Sequence, residues 1–144
     1  MGQLTMTKAE REAFLAELHV GVLAVNGDGV PSLTPIWYSY EPGGDVHIAT
    51  AGDSPKTALL RAAGRASICV QTEAAPYKYV VADGSVTIED GVDSAWRRTT
   101  AKRYLGDEFG DMYADSTMDG EATSVTVRLT PERWRTTDYA KQFA

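Results

Sequence analysis

Four residues, Asn26-Gly27-Asp28-Gly29, constrain the fold more than any other stretch of the chain. Asn, Asp and Gly tolerate positive φ, so this stretch reads as the turn of a β-hairpin between two apolar β-type runs, residues 20–25 and 30–40. A second turn, Glu41-Pro42-Gly43-Gly44-Asp45, precedes a third run that opens with Val46, Ile48 and Ala49. Two hairpins in succession imply an antiparallel meander. Pro31 and Pro35 fall within the second strand, where a proline cannot donate to a central ladder, so that strand is expected to be irregular or to lie at an edge.

The remaining elements follow from caps and periodicity. Thr7 and Glu10 have the spacing of a capping box, and Phe14, Leu15 and Leu18 make an apolar stripe, which predicts a helix over about residues 7–18. Pro55 suits the first turn of a second helix that runs through Leu59, Leu60 and Ala63 and stops at Gly64. Residues 65–72 then read as a strand. Residues 77–89 are β-rich, and Ala82-Asp83-Gly84-Ser85 in their middle reads as a bulge or bend, leaving one kinked strand or two. Asp93 can cap a third helix to about Tyr104, with Trp96, Thr99, Thr100 and Arg103 at helical spacing. The acidic, glycine-containing segment 106–120 reads as a mobile loop, residues 123–129 as a strand and 134–139 as a last one. Six or seven antiparallel β segments with three helices give a mainly β fold, a small closed barrel with peripheral helices.

A chain of 144 residues with 43% hydrophobic content is expected to form one domain, 1–144. Twenty acidic against 14 basic residues give a net charge of -6, which disfavours general nucleic-acid or anionic-membrane binding. No apolar run approaches the roughly 18 residues that span a bilayer, and the N-terminus has no apolar signal-peptide core, so a cytoplasmic protein is expected. The single cysteine, Cys69, lies in an apolar run and reads as a packed core residue. His19 and His47 are spaced unlike metal ligands or a triad, so no metal site is assigned and neither histidine is given a catalytic role.

The stretch 46–60, VHIATAGDSPKTALL, carries the local chemistry: a strand, a polar turn and a helix start. Thr50, Ser54, Lys56 and free helix N–H groups meet there, a combination suited to a phosphate. The alternative is that Ser54 only caps the helix and Lys56 is solvated. Arg97, Arg98, Lys102 and Arg103 form the densest basic patch.

Four motifs, TPIWYSY, IATAGDSPKTALLRAAGRASICV, PYKYVVADGSVTIED and LTPERWRTTDY, resemble in that order the pyridoxamine 5'-phosphate oxidase-like split-barrel flavin-binding superfamily. Within it the chain is most similar to the actinobacterial flavin/deazaflavin oxidoreductases that use coenzyme F-420, over about residues 10–140. The resemblance implies an FMN-binding split barrel. It places Thr50, Ala51, Ser54, Pro55, Lys56 and Thr57 around the cofactor phosphate, with Lys56 as the main counter-charge. Pro35, Ile36 and Trp37 line the ring, Val70 and Gln71 reach its edge, and Lys78 lies beside it. Tyr77 and Tyr79 face the substrate, although a half-buried strand role suits both tyrosines and a surface charge suits Lys78. The implied reaction is hydride transfer from reduced F-420 to an electron-poor, planar small-molecule substrate, with solvent or Tyr79 as proton source and no side chain assigned as acid or base. An FMN-dependent oxidoreductase and a non-catalytic carrier are the alternatives. Arg61, Arg65, Arg97, Arg98, Lys102 and Arg103 are candidates for a groove that takes the oligoglutamate tail of F-420. The superfamily also implies a homodimer with cofactor sites at its interface, completed by Trp134 or Arg135 of the second subunit. The end of the chain lacks the histidine of the vitamin B6 oxidases, which argues against that substrate.

Overall fold

In the computed structural model, which describes residues 2–143, six strands make one sheet: β1 (Gly21–Val25), β2 (Ser32–Ile36), β3 (Val46–Ala51), β4 (Arg65–Gln71), β5 (Lys78–Asp90) and β6 (Ser124–Asp138). Their order is β2-β1-β4-β5-β6-β3, all neighbours pair antiparallel, and the sheet curls into a half-barrel. Four helices flank it, α1 (Lys8–Ala16), α2 (Pro55–Ala63), α3 (Ser94–Leu105) and α4 (Asp107–Ser116). This is the split-barrel class that the motifs imply. The concave face, α1 and α2 enclose one apolar cluster in which Leu15, Ile48, Leu60, Ile68, Val80, Val127 and Leu129 are all fully buried. Among the described residues, no helix is long and apolar enough to cross a membrane.

Local chemistry explains most element boundaries. Thr7 and Glu10 cap α1 reciprocally, Glu10 N–H donating to Thr7 Oγ1 at 3.2 Å and Thr7 N–H to Glu10 Oε1 at 2.7 Å. Asp93 caps α3 by accepting from Trp96 N–H. The β-rich run is one strand, β5, with a register shift at Asp83/Gly84. Gly84 is required at that bulge, because a Cβ there would lie 1.7 Å from Thr130 O.

The structure departs from the sequence reading in four places. The successive hairpins do not make a meander, since β3 pairs with β6, from Val46↔Leu129 to Ala51↔Ser124, and touches the chain after β2 only through the bridge Ser39↔His47. After Ile36 the chain turns inward, burying Tyr38 and Tyr40, and the Tyr38 hydroxyl donates to Leu15 O at 2.6 Å. That inward turn separates β3 from β2. The two predicted C-terminal strands are one 15-residue strand, β6, long enough to pair with β5 along its length and with β3 at its start.

The predicted mobile loop is α4 followed by a 3-10 turn, Met118–Gly120. Its carboxylates face α3, with Arg98 bonded to Asp111 (2.9 Å) and Asp115 (2.6 Å) and Lys102 within 3.9 Å of Asp107 and Asp111. A Cβ on Gly110 would lie 2.5 Å from Lys102 Cα, so the glycine allows the two backbones to touch. The acids and glycines that suggest a loop are thus the packing surface of a helix pair. Cys69, expected in the core, is half-buried on the opposite face of β4, because the strand's buried positions are Ala66, Ile68 and Val70.

Candidate functional site

The end of β3 and the start of α2 form one corner of a cavity of about 530 Å³. Ser54 caps α2, its Oγ accepting from Thr57 N–H at 3.1 Å and sharing a hydrogen bond with Thr57 Oγ1 at 2.9 Å. The fully buried Thr57 donates its hydroxyl to Ala51 O at 2.6 Å, tying the strand end to the helix. Both hydroxyls therefore build the turn. Lys56, held by that turn, lines the cavity together with Thr50 and Ala51. Burial pulls its ammonium below the ordinary lysine range, and no carboxylate contributes a shift in the other direction.

The second wall is aromatic. Pro35, Ile36 and Trp37 line the cavity where the chain leaves β2. The Trp37 indole stacks on Tyr104 at 4.9 Å and 4°, and Tyr113 tilts against it at 5.3 Å and 54°. Tyr104 is fixed in turn, since its hydroxyl donates to His19 O at 2.6 Å and accepts from Tyr38 N–H at 3.1 Å. Burial raises the pKa of this phenol, which favours its neutral, hydrogen-bonding form.

Helix α3 and the segment after α4 provide the rest of the lining, with Trp96, Arg97 and Thr100 from the helix and Thr117 and Glu121 from the segment. Arg97 joins the two. It donates to Glu121 Oε1 at 2.7 Å, to Ala114 O at 2.6 Å and to the Thr117 hydroxyl. Ser94 Oγ donates to the other Glu121 oxygen at 2.6 Å. The Ser94 hydroxyl, followed by Arg97, holds the Glu121 carboxyl below the usual glutamate range.

The structure thus brings together Pro35, Ile36, Trp37, Thr50, Ala51 and Lys56 from the sequence-predicted set. Ser54, Pro55 and Thr57 form the turn beneath them. Val70 lies in the core, 1% exposed. Gln71 is at the exposed end of β4, Lys78 and Tyr79 open β5 opposite Asp138 and Thr137, and Tyr77 precedes them on the surface. None of these five lines the cavity. Most of the predicted basic groove is already paired: Arg97 with Glu121, Arg98 with Asp111 and Asp115, Arg65 with Glu132 at 2.8 Å, and Arg61 loosely with Asp90 at 3.9 Å. The sequence does not place Tyr113, Thr117 or Glu121 in the site, because the first two lie in a segment that reads as a loop and Glu121 falls between it and the next predicted strand. Trp96 and Thr100 carried a signal, their four-residue spacing on α3. Among the described residues, no group of three or more His, Cys, Asp or Glu could hold a metal ion.

The arrangement offers a half-buried cation facing a rigid aromatic wall, which suits a planar ring bearing a phosphate. Known proteins agree at the level of the fold. A family model described as pyridoxamine 5'-phosphate oxidase matches residues 7–138. A conserved hypothetical protein of Mycobacterium tuberculosis superposes with a TM-score of 0.78 at 24% identity, covering 100% of this chain and 92% of that one. An F-420 reductase gives 0.71 at 21% identity, covering 86% and 94%. A FAD-binding protein of Mesorhizobium loti gives 0.65 at 22% identity, covering 91% and 94%. No curated protein matches the chain.

Proposed function

The chain belongs to the pyridoxamine 5'-phosphate oxidase family, and on that premise we propose that it is an oxidoreductase using coenzyme F-420 to reduce an electron-poor, planar organic substrate. The observation that carries the reading is the cavity whose lining joins Lys56 to Pro35, Ile36 and Trp37. Lys56 and the first N–H groups of α2 balance the cofactor phosphate, an ion pair strengthened by the cation's partial burial. The ring lies along Trp37, whose plane is set by stacking on Tyr104. When bound, the reduced deazaflavin supplies the hydride, so the protein's part is to bind, orient and exclude water. Tyr113, tilted over Trp37, covers the ring pocket. The Arg97–Glu121 pair anchors the covering segment. Most of the basic side chains expected to hold an oligoglutamate tail are occupied by carboxylates of this chain, so the tail leaves the cavity toward solvent. An F-420 reductase and a FAD-binding protein both share this fold, which supports a flavin-type cofactor.

The same reading makes the protein a homodimer. On the sheet face opposite the core, the register sets Val22 beside Pro35 and Ala24 beside Leu33, and Val22 and Leu33 are 37% and 66% exposed. Pro35 belongs to both this face and the cavity, so a second copy docked there reaches the site. Gln71, Tyr77, Lys78 and Tyr79, which do not line the cavity of their own chain, would then serve the partner's cavity. The experiment is anaerobic mixing of the protein with reduced F-420 and a set of nitroaromatic and quinone acceptors, following reoxidation of F-420 by absorbance. Acceptor-dependent reoxidation is expected. Binding of F-420 with no reoxidation by any acceptor would make the protein a carrier.

A further inference from the structure

The charge of the cavity is set by three side chains. Lys56, Arg97 and Glu121 are the charged residues in its lining, and the last two neutralise each other. Their pair is well shielded, with side-chain exposures of 13% and 19%. Both Glu121 oxygens are occupied, one by Arg97 and one by the Ser94 hydroxyl, so the carboxylate keeps its negative charge. Lys56, in no comparable pair, is left as the one net positive charge facing a ligand.

With Arg97 occupied by Glu121, a second negative charge brought into the half-enclosed cavity finds no cation beyond Lys56 to balance it, a deficit felt more strongly there than in open water. An alkyl phosphate monoester is mostly a dianion above its second pKa of about 6, whereas a phosphodiester carries one charge at any ordinary pH. We infer that Glu121 is a charge selector: it reserves Arg97 for itself and so fits the cavity to a singly charged phosphodiester in preference to a dianionic monoester. This rests on the reading of the cavity as the site of a phosphate-bearing ring cofactor. It adds a residue that decides which such cofactor is retained, and explains how an arginine can line the cavity without inviting a dianion.

The test uses two flavins that share a ring and differ in phosphate charge: FMN, a monoester, and riboflavin 4',5'-cyclic phosphate, a diester. Each is titrated, alongside F-420, into the wild-type protein, Glu121→Gln and Ser94→Ala, following flavin or F-420 fluorescence. Glutamine keeps the size and hydrogen bonds of Glu121 and removes its charge. Ser94→Ala loosens the same contact and leaves the charge. The wild type is expected to prefer the cyclic diester, and Glu121→Gln to shift the ratio of the two flavin affinities toward FMN by about tenfold, the scale of one charge–charge interaction in a partly shielded site. Ser94→Ala is expected to leave that ratio as in the wild type. An unchanged ratio in Glu121→Gln, an equal shift in Ser94→Ala, or refusal of the cyclic flavin by a protein that binds F-420 would overturn the selector. Refusal of all three ligands by every form would overturn the cofactor reading itself.

Discussion

Burial disfavours the charge of Lys56 where it stands, and in the proposed function that charge holds an anion. Burial lowers its pKa, so the unfolded chain holds the proton more tightly and stability rises with pH through the window below the lysine value of 10.5. Replacing it by an apolar side chain of similar length removes that penalty. Lys56→Met is expected to melt at the wild-type temperature or above in the absence of cofactor, while losing cofactor affinity. A lower melting temperature would mean that the amine has a structural partner. Glu10 has the opposite sign. Lys141, 2.6 Å away, and the Thr7 backbone N–H lower its pKa from 4.5 to about 2. The stabilisation it gives is complete above 4.5 and fades as pH falls toward 2. Melting curves across that range should fall more steeply for the wild type than for Lys141→Ala, and parallel curves would contradict the linkage. At this scale the sequence shows residue types but not their partners. Ser54 reads as a phosphate ligand because it is a hydroxyl beside a helix start, and Thr57 joins it through the family resemblance; the fold also uses both to close the turn.

Among the elements, α1, α2 and α3 were legible because their start signals are local: a capping box, a proline in the first turn and an aspartate cap. Helix α4 was not, because its reason to be a helix lies on another helix. Asp107, Asp111 and Asp115 recur every fourth residue and meet Arg98 and Lys102, while Gly110 sits where a side chain would strike Lys102. Phe109, Met112 and Tyr113 do recur at helical spacing, but they stay exposed, and the acids and the glycine between them look like a loop until the partner is in place. Gly110→Ala is therefore expected to destabilise the protein by about 1–3 kcal/mol, the cost of overpacking a tight contact, although alanine is the better helix former. Urea denaturation measures this, and a stabilised variant would show that α4 stands off from α3. Because Tyr113 and Glu121 are carried by α4 and the turn after it, the site was half visible for the same reason.

At the scale of the molecule, the mainly β, antiparallel character was legible from turns and alternation, and the β1–β2 hairpin is encoded in its own turn, whereas the turn at residues 41–45 does not join paired strands. The closure of β3 onto β6 was not legible, because it joins residues 46–51 to 124–129, and no local pattern records a pairing across such a separation. The site inherits this division: its aromatic wall and phosphate turn come from the legible half, its cover from the non-local half. The exposed face around Leu33 belongs to the homodimer of the proposed function. Leu33→Asp is expected to sediment as a monomer and to bind cofactor more weakly, whereas a wild-type protein that sediments as a monomer at micromolar concentration would remove the second subunit from the site.

In the proposed function the cavity lined by Lys56 and Trp37 holds the phosphate and ring of one cofactor, F-420. Calorimetric titration of F-420 and of FMN into the wild-type protein and Lys56→Ala tests it most directly. The wild type is expected to prefer F-420, and the variant to lose about 1.5 to 3 kcal/mol of its binding free energy, the worth of a charged hydrogen bond. Preference for FMN, or an F-420 affinity unchanged by the loss of Lys56, would contradict it.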